Sequence, residues 1–385
     1  MSSITDRARV RAALAAGGQV PVGRRQLLSE PARLVVALLA VAAAVALVLL
    51  LTGLRRGLGE QATIYLDHQP PVLVGQAGTR NFLSQTSVLD ERLAGRVQRV
   101  AGVRDAAPIS EGYAMLSLHG TRVLALLVGY DPGRRGGPWE LAEGRTPRAF
   151  GDLVVDEVLA DEHDLVVGTR LRFRGEALTI VGRSRGTSGF MTPLAFTTRE
   201  TANALNEQPQ TATFLLVTPA ADVSPAALVR RIDAAVPGVA AHLRDELVTR
   251  DRDLFVGAFS GPLAAMIAIA AAVAVLVIAI TVYSATRDRA REYATLKAIG
   301  LRRRALVRLV SFQAGALAVA GTVLGVAFAV AGAALVGVLA PKYLIALTTS
   351  DALWMAVAAL VFALLAALAP ARYLDRLDPA TAFRR

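Results

Sequence analysis

The sequence predicts a membrane α-helical protein of four transmembrane helices, with an α+β extracytoplasmic domain inserted between helices 1 and 2. Three observations predict it. Four apolar runs are long enough to cross a bilayer core, which takes about 20 residues of helix. Between the first and second run lie 200 residues (55–254) with short alternating apolar patterns and regular turn signals. The excess of basic residues sits beside the apolar runs and not in that insert.

In chain order, residues 1–33 form a cytoplasmic amphipathic segment carrying six Arg and two acids. Residues 34–54 (LVVALLAVAAAVALVLLLTGL) form the first span. It does not read as a cleaved leader, because its apolar part is too long and 33 residues precede it. The second span covers 262–284, the third 309–339 and the fourth 353–371. As a helix the third run is roughly 46 Å long, more than a bilayer core needs, so its first turns belong outside the hydrocarbon. Residues 287–308 make a cytoplasmic loop and 372–385 a cytoplasmic tail.

Orientation follows from the basic residues beside the spans. The leading segment, the 287–308 loop and the tail together carry +12, whereas 55–254 holds 23 Arg against 24 acids. Arg55 and Arg56 are the local exception, outvoted by three cytoplasmic segments. Both termini are therefore expected inside and the insert outside, in the inner (cytoplasmic) membrane. The net charge of +11 does not imply a nucleic-acid partner, because its excess lies where anionic lipid and the insertion rule account for it. With no cysteine, the chain has no disulfide framework and no thiolate chemistry.

Within the insert, strands are predicted at Val72–Gly75, Val103–Ile109, Ala114–Leu118, Arg122–Gly129, Leu153–Val155, Arg170–Arg174, Leu178–Gly182, Thr213–Val217 and Val239–Leu243. Helices are predicted at Asp90–Val100, Ser224–Val236 and Asp245–Phe255. LAGRVQRVAGVRDAAP (Leu93–Pro108) echoes LVRRIDAAVPGVAAHL (Leu228–Leu243): in each an amphipathic helix is followed by a strand. Two such αβ units suggest a layer built of two related halves.

The residues do not argue for an enzyme. The run Asp156, Glu157, Asp161, Glu162, His163, Asp164 has no metal-ligand spacing and reads as a solvated helix or turn after a strand. His68, His119, His163 and His242 are scattered. Lys297 precedes Ala298 and Lys342 precedes Tyr343, so no P-loop exists, and ATP must be bound by a partner subunit. The spans hold essentially no charge, which removes any proton relay or ion path. Small residues recur every four positions in span three, at Gly321, Gly325, Ala329, Ala333 and Gly337, a face that lets another helix backbone approach. Four spans without polar lining make a small bundle, which implies a homodimer embedded in membrane lipid.

Arg291-Glu292-Tyr293-Ala294-Thr295-Leu296-Lys297-Ala298-Ile299-Gly300 resembles the R-E-x-x-x-L-K-A-I-G signature of FtsX-like permeases. These are the membrane subunits of the MacB/LolC/FtsX group (type VII) of ABC systems. The ending Ala369-Pro370-Ala371-Arg372 with Leu377-Asp378-Pro379-Ala380 resembles the tail of that family, and Arg24–Leu34 resembles its amphipathic lead-in. Tyr293 and Ala294 stand where Ile and Ala or Gly are usual, and Phe383 where Leu is common; each keeps apolar character. Residues 154–196 are most similar to the DevC and haem-exporter HrtB branch.

The resemblance implies mechanotransmission. A cytoplasmic ABC ATPase dimer would grip 287–308, with Arg291, Glu292, Leu296, Lys297, Ala298, Ile299 and Gly300 as coupling residues, and would move the outer domains. The expected function is export of a hydrophobic or amphipathic compound, haem-like by its branch. Two alternatives are an FtsX-type signal relay that activates a cell-wall hydrolase, and lipoprotein extraction.

Overall fold

The computed structural model describes residues 31–83, 87–118, 121–189, 192–288 and 303–366. Eight helices occur among them: α1 (Pro31–Asp67), α2 (Glu91–Gln98), α3 (Glu157–Glu162), α4 (Arg199–Leu205), α5 (Pro225–Ala235), α6 (Arg244–Asp288), α7 (Arg303–Leu339) and α8 (Thr349–Ala366). The chain divides into a helical unit, with residues 1–55, 261–339 and 345–385, and an α+β unit, with residues 56–260 and 340–344.

The helical unit draws on α1, α6, α7 and α8. The first three are long and apolar enough to cross a membrane, while α8 offers a shorter apolar stretch, Thr349–Leu365. Helix bounds run past the expected spans because backbone hydrogen bonding does not stop where hydropathy does. The core of this unit is built from small and branched side chains, with Val41, Val45, Ala314, Ala318, Ala329 and Ala363 fully or nearly excluded from solvent. Large apolar side chains such as Ile269, Val323, Leu335, Leu353 and Trp354 point outward. Such a helix surface is stable only where the surroundings are themselves apolar.

The α+β unit is organised by one ten-stranded sheet, in the order β12-β1-β11-β3-β4-β9-β6-β8-β5, with β7 off this path on β8. The strands of its first part are β1 (Val72–Gln76), β3 (Val103–Leu118), β11 (Phe214–Pro219) and β12 (Val239–Leu243). β1 pairs antiparallel with both β11 and β12, and β11 pairs antiparallel with β3. Thus β1–α2–β3 and β11–α5–β12 are two split βαβ units, each receiving a strand of the other between its own two. This is the ferredoxin-like arrangement. The echo of Leu93–Pro108 in Leu228–Leu243 is its sequence trace. Val97 of α2 and Leu228 and Ile232 of α5 cover Val72, Val74, Leu215 and Val217 of the sheet.

The second part is inserted into this frame. It holds β4 (Thr121–Tyr130), β5 (Leu141–Gly144), β6 (Asp152–Asp156), β7 (Arg170–Phe173), β8 (Glu176–Ser184) and β9 (Leu194–Thr198). A separate pair joins β2 (Leu89–Asp90) to β10 (Thr211–Ala212). Helices α3 and α4 cover one face through Leu159, Ala160, Ala202 and Leu205.

The structure corrects the expected strands at one instructive place. The predicted strands Val103–Ile109 and Ala114–Leu118 are one strand of 16 residues, β3. Up to Ile109 it pairs with β11, and from Ile109 onward with β4. The polar Ser110-Glu111-Gly112 stretch marks a change of partner and not a turn. Strands β2, β5, β9 and β10 and helix α4 were not expected.

Candidate coupling site

In the helical unit, α7 is seated on α1 at its glycines. A Cβ on Gly321 would come 2.5 Å from Val41 Cγ1, and one on Gly325 would come 2.7 Å from Val45 Cβ and 2.8 Å from the Ala42 carbonyl oxygen. Ala329 is fully buried, Ala333 half-buried, and Gly337 exposed with nothing near its Cβ position. Geometry explains the drift along this row. Each four-residue step overshoots a turn by about 40°, so the row rotates about 160° over its length. The contact passes instead to Gly332, whose Cβ would meet Leu50 at 3.4 Å. Close backbone approach of this kind is how helices associate where no hydrophobic drive acts between them.

On α1 itself, Gly53 admits the chain that follows α7: its carbonyl accepts the Ala346 N–H at 3.1 Å, and a Cβ would stand 2.9 Å from Ile345 and Leu347.

In the α+β unit, Gly57 of α1 receives the 340–344 segment so closely that a Cβ there would overlap the Leu344 carbonyl group. One turn on, the nearly buried Gln61 ties three segments together. Its Nε2 donates to the Lys342 carbonyl at 2.9 Å and to the Ser188 carbonyl at 3.4 Å, and its Oε1 accepts the Leu344 N–H at 3.4 Å. Lys342 Nζ then pairs with Glu162 of α3 at 2.8 Å. This ammonium is held above its usual pKa by the hydrogen bond and charge of Glu162.

A second tie involves the start of α6, which is charged (Asp245, Glu246, Arg250, Arg252, Asp253) and precedes its apolar run. Asp251 is fully excluded from solvent and holds the 81–83 segment. Its carboxylate accepts from Asn81 Nδ2 (3.0 Å), the Phe82 N–H (3.1 and 3.2 Å) and the Leu83 N–H (3.3 Å). Burial raises its pKa while those hydrogen bonds lower it, and the net direction is upward. Glu111 of β3 stands close enough to feel that charge. Burial first, then the Asp251 carboxylate, push its pKa up to about 8. Tyr113 closes the same corner by donating its hydroxyl to the Leu83 carbonyl at 3.0 Å.

The acidic run after β6 is not uniformly solvated, as its pattern suggested. Asp156 is buried and caps α3, accepting from Val158 and Leu159 N–H and from the Thr187 (2.7 Å) and Ser188 (2.6 Å) hydroxyls. Its acceptor capacity is divided between capping α3 and fixing the 187–188 segment. His68 stacks on Trp139 at 3.8 Å, and His242 Nε2 contacts the Thr79 carbonyl at 2.8 Å. Among the described residues no group of three or more potential ligands could hold a metal.

The expected coupling residues Arg291, Glu292, Leu296, Lys297, Ala298, Ile299 and Gly300 lie outside the described residues. So do residues 1–30 of the amphipathic segment 1–33, the end of the fourth expected span from residue 367, and the whole tail 372–385. The reading of the sequence missed Gly53 and Gly57, although their four-residue spacing on an apolar helix is the same signal that singled out span three. It also missed Gln61 and Asp251, for which no local pattern exists.

Comparison with known proteins places the chain. Residues 34–235 match the MacB-like periplasmic core domain and residues 264–379 the FtsX-like permease C-terminal domain. The chain belongs to the MacB/FtsX-like permease family, and it is a membrane protein of the ABC transporter permease type. It is similar to an uncharacterized ABC transporter permease of Mycobacterium tuberculosis (strain H37Rv), 27% identical over 365 residues, covering 91% of this chain and 95% of that protein. A second such permease, of Mycobacterium bovis (strain AF2122/97), is 27% identical over 369 residues with the same coverage. Among solved structures, the periplasmic region of MacB from Actinobacillus actinomycetemcomitans aligns with 51% of this chain and 94% of its own, at 13% identity and a TM-score of 0.37.

Proposed function

We propose that this chain is the mechanotransmitting permease subunit of an exporter, driven by a separate cytoplasmic ATPase that grips residues 287–308. The cargo is a hydrophobic or amphipathic compound that reaches the α+β domain from the membrane or the outer side, and two copies of the chain work together.

The observation that carries this reading is the length of two helices. α1 runs for 37 residues and α6 for 45, with Pro262 inside α6, and each is about twice what a bilayer core requires. A helix that outlasts the membrane on one side is a continuous covalent and hydrogen-bonded path for an axial displacement, with one such bond missing at Pro262 in α6. Gln61 and Asp251, each beyond the apolar part of its helix, hold loops of the α+β unit to the parts of α1 and α6 that belong to that unit. The uncharged interior of the spans supports a lever and offers nothing to an ion.

The test is to reverse Glu292 and Lys297 separately (E292K, K297E) in the permease reconstituted with its ATPase in nanodiscs. Each reversal should uncouple efflux from hydrolysis while leaving the permease folded, and the double reversal should restore part of the loss if the two act as a pair. Unchanged efflux and unchanged ATPase association in both single variants would overturn the reading.

A further inference from the structure

The helical side of the ferredoxin-like layer carries a groove of about 570 Å³ between the end of α2 and the end of α5. Its lining combines small apolar side chains, among them Ala234, Ala235 and Val236, with three arginines, Arg96, Arg99 and Arg231. Arg231 is already oriented: its Nη1 donates to the Ala101 carbonyl at 3.3 Å, leaving its other donors unspent. Gly102, at φ +99°, makes the tight turn beneath it, where a Cβ would stand 3.0 Å from that same nitrogen. Arg96 lies in the last turn of α2 and Arg99 is its C-cap residue, and both are exposed. None of these three arginines forms an ion pair among the described residues.

Charge is concentrated here against the trend of the domain. Residues 91–104 and 222–236 hold six Arg and three acids, whereas residues 55–254 as a whole hold 23 Arg and 24 acids. Two of those three acids are already engaged: Glu91 with Arg199, and Asp233 with the Ala241 N–H. Guanidinium groups are geometrically matched to carboxylates and bind them with two parallel hydrogen bonds. Small side chains between two helix ends let another helix or an extended backbone approach closely. The groove is open and three of its eight lining residues are arginines, which suits a chain bearing repeated carboxylates better than a single phosphate.

We propose that the α2–α5 groove docks an acidic segment of a partner polypeptide on the outer side of the membrane. Arg96, Arg99 and Arg231 pair with its carboxylates, and the small apolar side chains of the lining receive its apolar face. The proposal stands apart from the coupling at 287–308 and requires no ATPase.

The test uses the full chain in nanodiscs of zwitterionic lipid. Its probe is a dye-labelled helical peptide with Glu at i, i+3 and i+4 spacing, alongside the same peptide with Gln in place of Glu. The Glu peptide should bind, weaken as salt is raised, and lose at least tenfold in affinity in R96E/R99E/R231E, with the milder R96Q/R99Q variant intermediate. The control R170E/R172E, on the exposed strand β7, should bind like the wild type, and all variants should keep the wild-type melting temperature. Absence of binding to the wild type, equal binding of the Gln peptide, or equal loss in the control would overturn the proposal. So would binding of phosphatidylglycerol vesicles through these arginines without binding of the peptide.

Discussion

Gly57 and Leu344 are in backbone contact: the helix surface at Gly57 is where the Leu344 carbonyl lies, and no side chain fits between them. The neighbouring Gln61 fixes the same segment at Lys342 and Leu344. Substituting Gly57→Ala should therefore displace residues 340–344, and Gly57→Val should do so more strongly. Overpacking of this kind costs about 1–3 kcal/mol. Thermal unfolding of the full chain in detergent checks it, with Gly257→Ala as the control, since Gly257 of α6 has nothing within 4 Å of its Cβ position and ordinary helical backbone. A Gly57→Ala protein that melts with the wild type would remove the argument for close contact.

Removing Asp251 should free the 81–83 segment before anything else. Asp251→Ala leaves the Phe82 and Leu83 N–H groups without their acceptor in a site closed to water. Each orphaned donor costs about 1–3 kcal/mol. Hydrogen exchange at Phe82 and Leu83 should accelerate while the amides of β9 stay protected. Uniform acceleration across the sheet would instead mean that Asp251 supports the whole fold.

The Glu111 carboxyl gives the α+β unit a pH dependence of definite sign. Its pKa in the folded chain is raised to about 8 from 4.5, so the folded state holds a proton that the unfolded state has already released. Its contribution is complete below pH 4.5 and is lost as pH rises through the interval to about 8. Glu111 is only partly shielded from solvent, so the loss amounts to roughly 1–3 kcal/mol. Melting temperature should fall between pH 5 and about pH 8, and Glu111→Gln should flatten that decline. A Gln variant with the wild-type slope would assign the effect elsewhere.

Gly321 and Gly325 make a matching case in the helical unit. Gly325→Leu must push α7 away from Val45 and Ala42, whereas Gly337→Leu meets open space. The first should lower stability in detergent by about 1–3 kcal/mol and the second by a few tenths at most. Equal effects at both positions would refute the asymmetry between the two ends of the row.

Much of this fold could be read from the chain, and the failures have physical causes. Strands with one wet face, such as the Ala114–Leu118 end of β3 and β7, announced themselves by alternation. β9 did not, because all five residues of Leu194–Thr198 are buried and alternation has nothing to mark. β5 is four residues with two acids or glycines at its end, below the length at which any pattern forms. Helix α4 has a Thr198 cap whose hydroxyl accepts the Thr201 N–H, a start signal masked by its place directly after a strand. The small-residue spacing in span three led to the α1 contact at Gly321 and Gly325, but the same spacing at Gly53 and Gly57 passed unread. Gln61 and Asp251 could not be found from sequence, since their partners lie 281 and 169 positions away, at Lys342 and Phe82. The motif at 291–300 identified the family and lies outside the described residues.

The interleaving of the two split units has a consequence during synthesis. β1 pairs only with β11 and β12, which begin at Phe214 and Val239. Val72, Leu73 and Val74 are completely buried in the finished sheet, yet their partners leave the ribosome more than 130 residues later. Until then this strand has two bare edges and no cover. The inserted strands from β4 to β9 can pair locally in the meantime, so the middle of the domain matures first and its two ends close last. A nascent chain stalled before Phe214 should thus be the aggregation-prone and chaperone-dependent species.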